Sequence, residues 1–308
     1  MTLLSGQAHS WARHSLGTAR LTRGALTVLA CSCAAGCTNP LLHQPLHLAC
    51  PAGAPADPNA VLADYAALLK KCVRDSGQVD FAVLTQDVRT RGQLEAFLSW
   101  AAVGPPQPDR AFYLNVYNAC ALRAVLEFYP ITRLRDARAR LFDDVYFTVA
   151  QRQLNLADLA RLAAPPQDWR VEFALGVPTL GGPALAAEPY AAARLDEQLN
   201  QAVQRYLGGC AGLRVDFERR RVLLGRLIWQ RRRFFLHDYR RRYGTMSHSL
   251  LSALMPWAAP ATRVQLADLA GFDPAELPWS DLLHDARLVK RQRTKIGSTE
   301  ELLPCGAR

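Results

Sequence analysis

The apolar residues of this sequence are most concentrated in one long stretch near the middle of the chain, residues 112–130. Within it, apolar side chains recur at the three- and four-residue steps of a helix, at Phe112, Val116, Ala119, Leu122, Val125 and Leu126. Asp109 lies where a helix N-cap is expected, and Pro130 ends the pattern. The spacing therefore predicts a buried helix between these two residues.

Two asparagines and an arginine interrupt this apolar helix. Asn115 and Asn118 fall on one side of it, because residues three or four positions apart share a helix face. A buried amide without hydrogen-bond partners costs about 1–3 kcal/mol. The asparagines are therefore expected either to tie neighbouring loops to the helix or to line a pocket, which Tyr117 and Arg123 would help to shape.

Helical and alternating patterns divide the rest of the chain into shorter elements. Helices are predicted at residues 61–72, 84–100, 156–162, 190–207, 227–243 and 247–257. Strands are predicted at residues 143–149 and 171–175, and a hairpin is predicted from residues 213–216 and 221–224. This order predicts a single, mainly helical α+β domain with a small, mostly antiparallel sheet.

The first 37 residues have the pattern of an export signal. Residues 1–23 carry three arginines and no acidic residue, and a short apolar run follows them. Such a run is too short to span a bilayer and is typical of a secretory signal. The ending Ala34-Ala35-Gly36-Cys37 resembles a bacterial lipobox, in which the cysteine is acylated. Residues 1–37 are therefore interpreted as a signal peptide with Cys37 lipidated; a cleaved soluble form and an unprocessed N-terminus are the alternatives.

The segment after the signal is rich in Pro, Ala, His and Leu without a clean period. Residues 38–59 are therefore interpreted as a tether, followed by a folded domain at 60–285 and a basic C-terminal tail at 286–308. His43 and His47 have a spacing that could hold a metal on a helix, but Pro45 lies between them. They are interpreted as solvated linker histidines.

Composition indicates an ordinary globular protein, with 50% hydrophobic and 21% charged residues. The net charge of +10 comes mainly from arginine, which a GC-rich genome, acidic lipid or nucleic acid would each explain. Two arginine triplets, at 231–233 and 240–242, lie on the helix at 227–243. They are expected to form a solvated face or to contact anionic lipid headgroups. No nucleic-acid partner is expected, because an exported protein rarely meets one.

The cysteines do not form a recognisable metal site. Once Cys37 is lipidated and Cys31 and Cys33 are removed, an odd number of cysteines remains, at Cys50, Cys72, Cys120, Cys210 and Cys305. One or two disulfides are compatible with an oxidising compartment, with the pairing left open. No convincing metal-ligand spacing and no phosphate-binding glycine loop is present, so no metal and no cofactor are expected.

Residues 112–119, with Tyr129-Pro130 after them, resemble the signature of the family known as domain of unknown function 547. Weaker similarities follow in order and extend the resemblance over about residues 60–282, at Val79-Asp80-Phe81, at 170–175, at 227–234 and at Trp279-Ser280. The resemblance implies a papain-like or transglutaminase-like fold and thiol chemistry.

The sequence departs from this family where the chemistry is expected. Members usually carry a Glu-His pair where Ala160-Arg161 stand here. They also usually carry a Cys-x-Ser-x-x-Cys-Pro loop, whereas the loop Gly176–Pro183 keeps only Thr179, in place of Ser, and Pro183. Thr179 and Pro183 join the asparagines as candidate pocket residues. Thiol chemistry needs a thiolate and a base, so no catalytic residue is expected at the family positions.

These observations predict an exported, lipid-anchored protein of the cell envelope. Its domain is expected to be a degenerate, non-catalytic relative that acts in structure or binds an unknown protein or small molecule. One alternative is a hydrolase or transferase that uses His237 or His248 as its base. Another is an adaptor that contacts the membrane surface through the arginine-rich helix.

Overall fold

The computed structural model describes residues 45–48, 57–137, 140–164, 168–244 and 249–288. The helices are α1 (Pro58–Cys72), α2 (Phe81–Gln86), α3 (Val88–Val103), α4 (Arg110–Phe128), α5 (Leu156–Ala163), α6 (Val171–Ala174), α7 (Leu195–Gly208), α8 (Arg226–Tyr243), α9 (Leu250–Leu254) and α10 (Pro260–Asp268). The strands are β1 (Leu46–Leu48), β2 (Val145–Val149), β3 (Arg152–Asn155), β4 (Leu213–Asp216), β5 (Arg221–Leu224) and β6 (Asp273–Glu276). This arrangement confirms the prediction of a mainly helical α+β fold.

Several expectations lie outside the described residues. They concern the signal peptide with its lipidation site at Cys37, the histidines His43 and His248, and nearly all of the C-terminal tail. Among the helices that are described, none combines the length and the hydropathy needed to cross a bilayer.

Helix α4 is the predicted central helix, and it forms the middle of the core. The Asp109 carboxylate caps it by accepting a 2.7 Å hydrogen bond from the Phe112 N–H. Most of its residues are buried on every side of the helix, because α3, α5 and strand β2 pack around it. A helix that is apolar all round belongs in a core, so the asparagines of α4 face protein rather than solvent.

The described strands form two small mixed sheets rather than one mostly antiparallel sheet. In the first, β2 pairs antiparallel with β3 and parallel with β1. In the second, β5 pairs antiparallel with β4, which confirms the predicted hairpin, and parallel with β6. The two parallel strands were not predicted, because each is short and gains its hydrogen bonds from a distant part of the chain. Strand β1 lies within the predicted tether, and there His47 stacks on Tyr146 with ring centroids 5.3 Å apart.

Three predicted elements differ from the structure. Residues 171–175 were predicted as a strand, but they form the short helix α6 with Val171, Phe173 and Ala174 all buried. The helix predicted at 84–100 is two helices, because the Asp87 carboxylate caps a new helix at Arg89 and Thr90. The helix predicted from residue 190 begins at Leu195, after a short 3₁₀ turn at Ala192–Arg194.

A segment near the C-terminus, residues 279–287, ties several loops together and is called the strap below. The His284 N–H donates to the Pro178 carbonyl at 2.9 Å, and its carbonyl accepts from the Val79 N–H at 2.9 Å. A further strap N–H donates to the Thr132 carbonyl at 2.8 Å. The strap therefore joins three loops that are far apart in sequence.

Candidate functional site

Asn115 fixes the backbone of a distant residue. Its Nδ2 donates to the Tyr190 carbonyl and its Oδ1 accepts from the Tyr190 N–H, both at 2.8 Å. The side chain is buried, and the Tyr65 hydroxyl donates to the Asn115 carbonyl at 3.4 Å. One side-chain amide thus satisfies both the backbone N–H and the backbone carbonyl of one buried residue.

Asn118, one helical turn later, makes a similar pair of bonds. Its Nδ2 donates to the Ala174 carbonyl at 3.3 Å, and its Oδ1 accepts from the Gly176 N–H at 2.8 Å. The two asparagines therefore hold both ends of residues 174–190. This segment is called the clamped segment below, and its attachment to α4 is the first of the two predicted alternatives.

The other candidate pocket residues lie in different surroundings. Tyr117 is buried within α4, and burial raises the pKa of its hydroxyl. Arg123 pairs with Glu95 at 3.0 Å and with Glu127 at 2.8 Å. Arg123 is thus held by carboxylates on α3 and α4. Its role in a pocket stays a prediction.

Thr179 and Pro183 lie within the clamped segment. Thr179 is fully buried, and its hydroxyl has no hydrogen-bond partner among the described residues. The Pro183 carbonyl accepts from the Val177 N–H at 3.1 Å, which closes the loop on itself. Whether these residues line a pocket also stays a prediction.

A cleft of about 630 Å³ is lined in part by the clamped segment. Its walls are the turn at 74–77, residues 184–190 of the clamped segment, helix α7 and the turn at 208–210. The polar lining side chains are Arg74, Asp75, Ser76, Glu188, Tyr190, Gln198, Gln201 and Arg205. Three separated stretches of sequence contribute these polar residues, so no local motif marks the site.

The charged groups of the cleft differ in how fully they are paired. The Arg74 guanidinium pairs with Asp80 at 2.8 Å. The Glu188 carboxylate accepts hydrogen bonds from Arg194 at 3.4 Å and from Gln198 at 3.3 Å. Two of the acidic or basic lining groups are therefore already engaged with protein partners.

Arg205 is the cation of the cleft that lacks an acidic partner. It hydrogen-bonds to the Tyr190 hydroxyl, whose pKa burial raises to about 12. Within the described ranges no carboxylate lies within ion-pair distance of Arg205. Because a guanidinium has five N–H donors, Arg205 keeps donors for a ligand.

In the loop at 176–183, two positions correspond to the cysteines of the family that the sequence resembles. The loop has no room for a side chain at both of these positions. Those positions are Val177 and Gly182. A Cβ added at Gly182 would lie 2.6 Å from the Val177 Cβ and 2.8 Å from its carbonyl oxygen. The two positions are therefore neighbours in space, and neither holds a reactive group.

Part of the chain matches a known family, and the asparagine clamps and this loop lie within that part. Residues 107–207 match the family described as Protein of unknown function, DUF547. No curated protein and no solved structure matches the chain. The DUF547 region covers a shorter stretch than the resemblance at 60–282 suggested, and it includes both asparagines and the whole clamped segment.

Two cysteines that form no disulfide are buried. Among the described residues these are Cys72 and Cys120, of which Cys120 lies in the DUF547 region. Burial, and then the charge of Asp80, raises the pKa of the Cys72 thiol to about 12. Cys210 is disulfide-bonded, and its partner lies outside the described residues. A buried thiol of high pKa is a poor nucleophile.

The candidate base His237 differs from these thiols in burial. His237 is exposed on α8, whereas Cys120 and Thr179 are fully buried. His284, which the sequence analysis did not single out, lies on the strap, and burial lowers its pKa to about 4. No group of three or more His, Cys, Asp or Glu side chains in the described ranges could hold a metal ion.

Many arginines of α8 are engaged within the protein. Arg231 makes a two-pronged ion pair with Glu172 of the DUF547 region, and one of its hydrogen bonds measures 3.1 Å. Arg241 and Arg242 both pair with the buried Asp238. Arg233 is exposed. Helix α8 thus uses some of its arginines in ion pairs within the protein and exposes others on a basic surface.

Proposed function

We propose that this protein is an exported, lipid-anchored component of the cell envelope whose DUF547 region binds a ligand and performs no catalysis. The observation that carries the proposal is that Val177 and Gly182, which stand at the two cysteine positions of the family that the sequence resembles, lie close together and carry no reactive group. The buried state of Cys72 and Cys120 also supports it. The cleft beside the clamped segment supplies the space for a ligand.

Export rests on the sequence of residues 1–37 and on one structural observation. Cys210 is disulfide-bonded, and disulfides persist mainly in oxidising compartments outside the cytosol. A lipid on Cys37 would then hold the protein at a membrane. The envelope is the location that accounts for both features.

The lipid anchor is tested by labelling cells that express the full chain with radioactive palmitate. We expect label on the wild-type protein and none on Cys37→Ser. Cys33→Ser is the matched control, because Cys33 lies in the same apolar run and should leave labelling unchanged. Label that persists in Cys37→Ser, or is missing from the wild type, would contradict the anchor.

The non-catalytic role is tested by alkylating the native protein with iodoacetamide and mapping the modified cysteines by mass spectrometry. Cys72 and Cys120 should react only after unfolding, because both thiols are buried and burial also raises the pKa of the Cys72 thiol. Rapid alkylation of Cys120 at neutral pH would instead favour the hydrolase or transferase alternative. In that case His237→Ala should slow the reaction.

Contact with anionic lipid headgroups through α8 is a second candidate role. The exposed Arg233 and the 73% exposed Arg241 side chain favour it. A lipid-anchored protein lies within the range where basic side chains are attracted to anionic headgroups. This role is compatible with ligand binding, because α8 contributes no residue to the cleft lining.

A further inference from the structure

Cys210 belongs to the lining of the cleft, and its disulfide partner lies outside the described residues. The two cysteines that are free among the described residues are therefore excluded as partners. Three others fall within residues 1–37, which are the proposed signal peptide and lipidation site. The candidates that remain are Cys50 and Cys305.

Cys50 is attached to a part of the fold that differs from the surroundings of Cys210. It follows Leu48, the last residue of β1, by two positions, which is a reach of about 7 Å. Strand β1 pairs with β2, and this sheet packs on α3, α4 and α5. Helix α7, which leads into Cys210, packs on α6 and β4 instead. The fold therefore favours Cys305 as the partner.

The strap brings the C-terminal tail to one wall of the same cleft. The Ala286 N–H donates to the Val79 carbonyl at 3.0 Å, and Val79 directly follows the turn at 74–78. The described chain ends at Leu288, which packs against the core. Residues 289–304 can span about 50 Å when extended. The tail thus starts beside one wall of the cleft and is long enough to reach Cys210 in another.

The charges of the tail complement the charges that the cleft leaves unpaired. Among the described residues, Asp75 and Arg205 are the lining groups without an ion-pair partner. Asp75 lies in the wall where the tail begins, and the tail opens with basic residues at 290–295. Arg205 precedes Cys210 on α7, and the acidic pair at 300–301 precedes Cys305 on the tail. Opposite charges therefore follow in the same order along the tail and along the cleft.

We propose that Cys210 is bonded to Cys305 and that the C-terminal tail thereby lies across the cleft as an intramolecular occupant. The basic part of the tail pairs with Asp75, and its acidic pair binds Arg205. The inference rests on the proposed export, because disulfides persist in oxidising compartments. It adds to the proposed binding role that another ligand reaches the cleft only by displacing the tail.

The first test maps the disulfide in the full chain, purified without reductant from the envelope of cells that express it. Free thiols are alkylated, and the protein is digested with trypsin without reduction. Mass spectrometry should then find residues 206–214 linked to residues 296–308, because Lys or Arg bounds both segments. A link from residues 206–214 to the peptide that contains Cys50, or alkylation of Cys210, would overturn the pairing.

The second test asks whether the tail occupies the cleft. A carbodiimide couples glycine ethyl ester to accessible carboxylates, and mass spectrometry measures the coupling at Asp75. We expect coupling about threefold or more faster in Cys305→Ser than in the wild type, because a tail fastened at both ends occupies the cleft more fully. Cys50→Ser is the matched control and should couple like the wild type. Glu218, which is exposed outside the lining, should react equally in all three proteins.

Equal coupling at Asp75 in the wild type and in Cys305→Ser would overturn the occupancy of the cleft, and faster coupling in Cys50→Ser alone would overturn the pairing. Thermal unfolding checks that the variants are folded. If Cys305→Ser does not fold, the double variant Glu300→Gln, Glu301→Gln keeps the disulfide and should also speed coupling at Asp75. Palmitate labelling tests the anchor separately, so a reduced Cys210 in palmitoylated protein would contradict the pairing and leave the proposed anchor intact.

Discussion

At the scale of single residues, two amides decide how the DUF547 region is built. Asn is short and carries both a donor and an acceptor, so its side chain can pair with a backbone carbonyl and a backbone N–H at the same time. Asn115 does this at Tyr190, and Asn118 bridges Ala174 and Gly176. The sequence predicted that these amides need partners, but the partners lie on a segment that no local pattern connects to α4.

Removing one clamp should be costly. Asn115→Ala leaves the N–H and the carbonyl of Tyr190 buried without partners, and we expect a loss of about 2–4 kcal/mol in the free energy of unfolding. Asn59→Ala is the control, because Asn59 is exposed on α1 and should change stability by less than about 0.5 kcal/mol. Urea unfolding measures both. A small effect at Asn115 would show that water can replace the clamp.

The loop around Val177 and Gly182 should not accept another side chain. In Gly182→Ala the new Cβ would lie 2.6 Å from the Val177 Cβ, so we expect destabilisation of about 1–3 kcal/mol from overpacking. Gly92→Ala in α3 is the matched control. No atom lies within 4 Å of its added Cβ, and it should stabilise the helix by up to about 1 kcal/mol. Thermal unfolding of both variants gives the comparison, and equal effects would contradict the packing argument.

At the scale of elements, the prediction succeeded where a helix or strand carries its own signal. Helix α4 combines an apolar run with a capping Asp before it and a proline shortly after it, and all three signals are local in sequence. Residues 171–175 were assigned wrongly because a short buried run has no period that separates strand from helix. Strands β1 and β6 and the strap were missed because their hydrogen bonds come from distant residues.

The arginines of α8 separate into structural and surface groups, and variants can distinguish them. Arg231→Ala breaks the pair with Glu172, of which both side chains are 24% exposed, and should lower the free energy of unfolding by about 1–2 kcal/mol. Arg233→Ala should leave stability unchanged. If α8 contacts anionic lipid, it should weaken binding to phosphatidylserine vesicles by about 1 kcal/mol at low salt. Vesicle binding that is unchanged both by the Arg233→Ala substitution and by added salt would exclude this contact.

At the scale of the whole molecule, the cleft could not be predicted from the sequence. Its walls are the turn at 74–77 after α1, the clamped segment, helix α7 and the turn at 208–210. Only the three-dimensional fold brings these parts together. The sequence did indicate that the asparagines matter. They act behind the wall of the cleft, which they position through backbone hydrogen bonds.

The stability of the whole domain should depend on His284 at mildly acidic pH. Its folded-state pKa is about 4, below the ordinary value, so the unfolded chain takes up a proton first as the pH falls. This contribution to stability is therefore present at neutral pH and is lost as the pH falls below about 6.5. Between pH 7 and pH 5 the wild type should lose about 1–2 kcal/mol more than His284→Gln.

Denaturant unfolding of both proteins at the two pH values measures this difference. The neighbouring Asp285 has a pKa raised by burial, which acts in the opposite direction, but it is present in both proteins. Parallel losses in wild type and His284→Gln would contradict the assignment.

The strap also has a consequence for the order in which the protein can form. It follows every other described element in the chain, yet the loops at Val79, Thr132 and Pro178 complete their hydrogen bonds only through it. These three loops, which are synthesised earlier, therefore cannot complete their hydrogen bonds until the strap has been synthesised. A chain that still lacks the strap therefore leaves backbone groups in three of its loops without their partners.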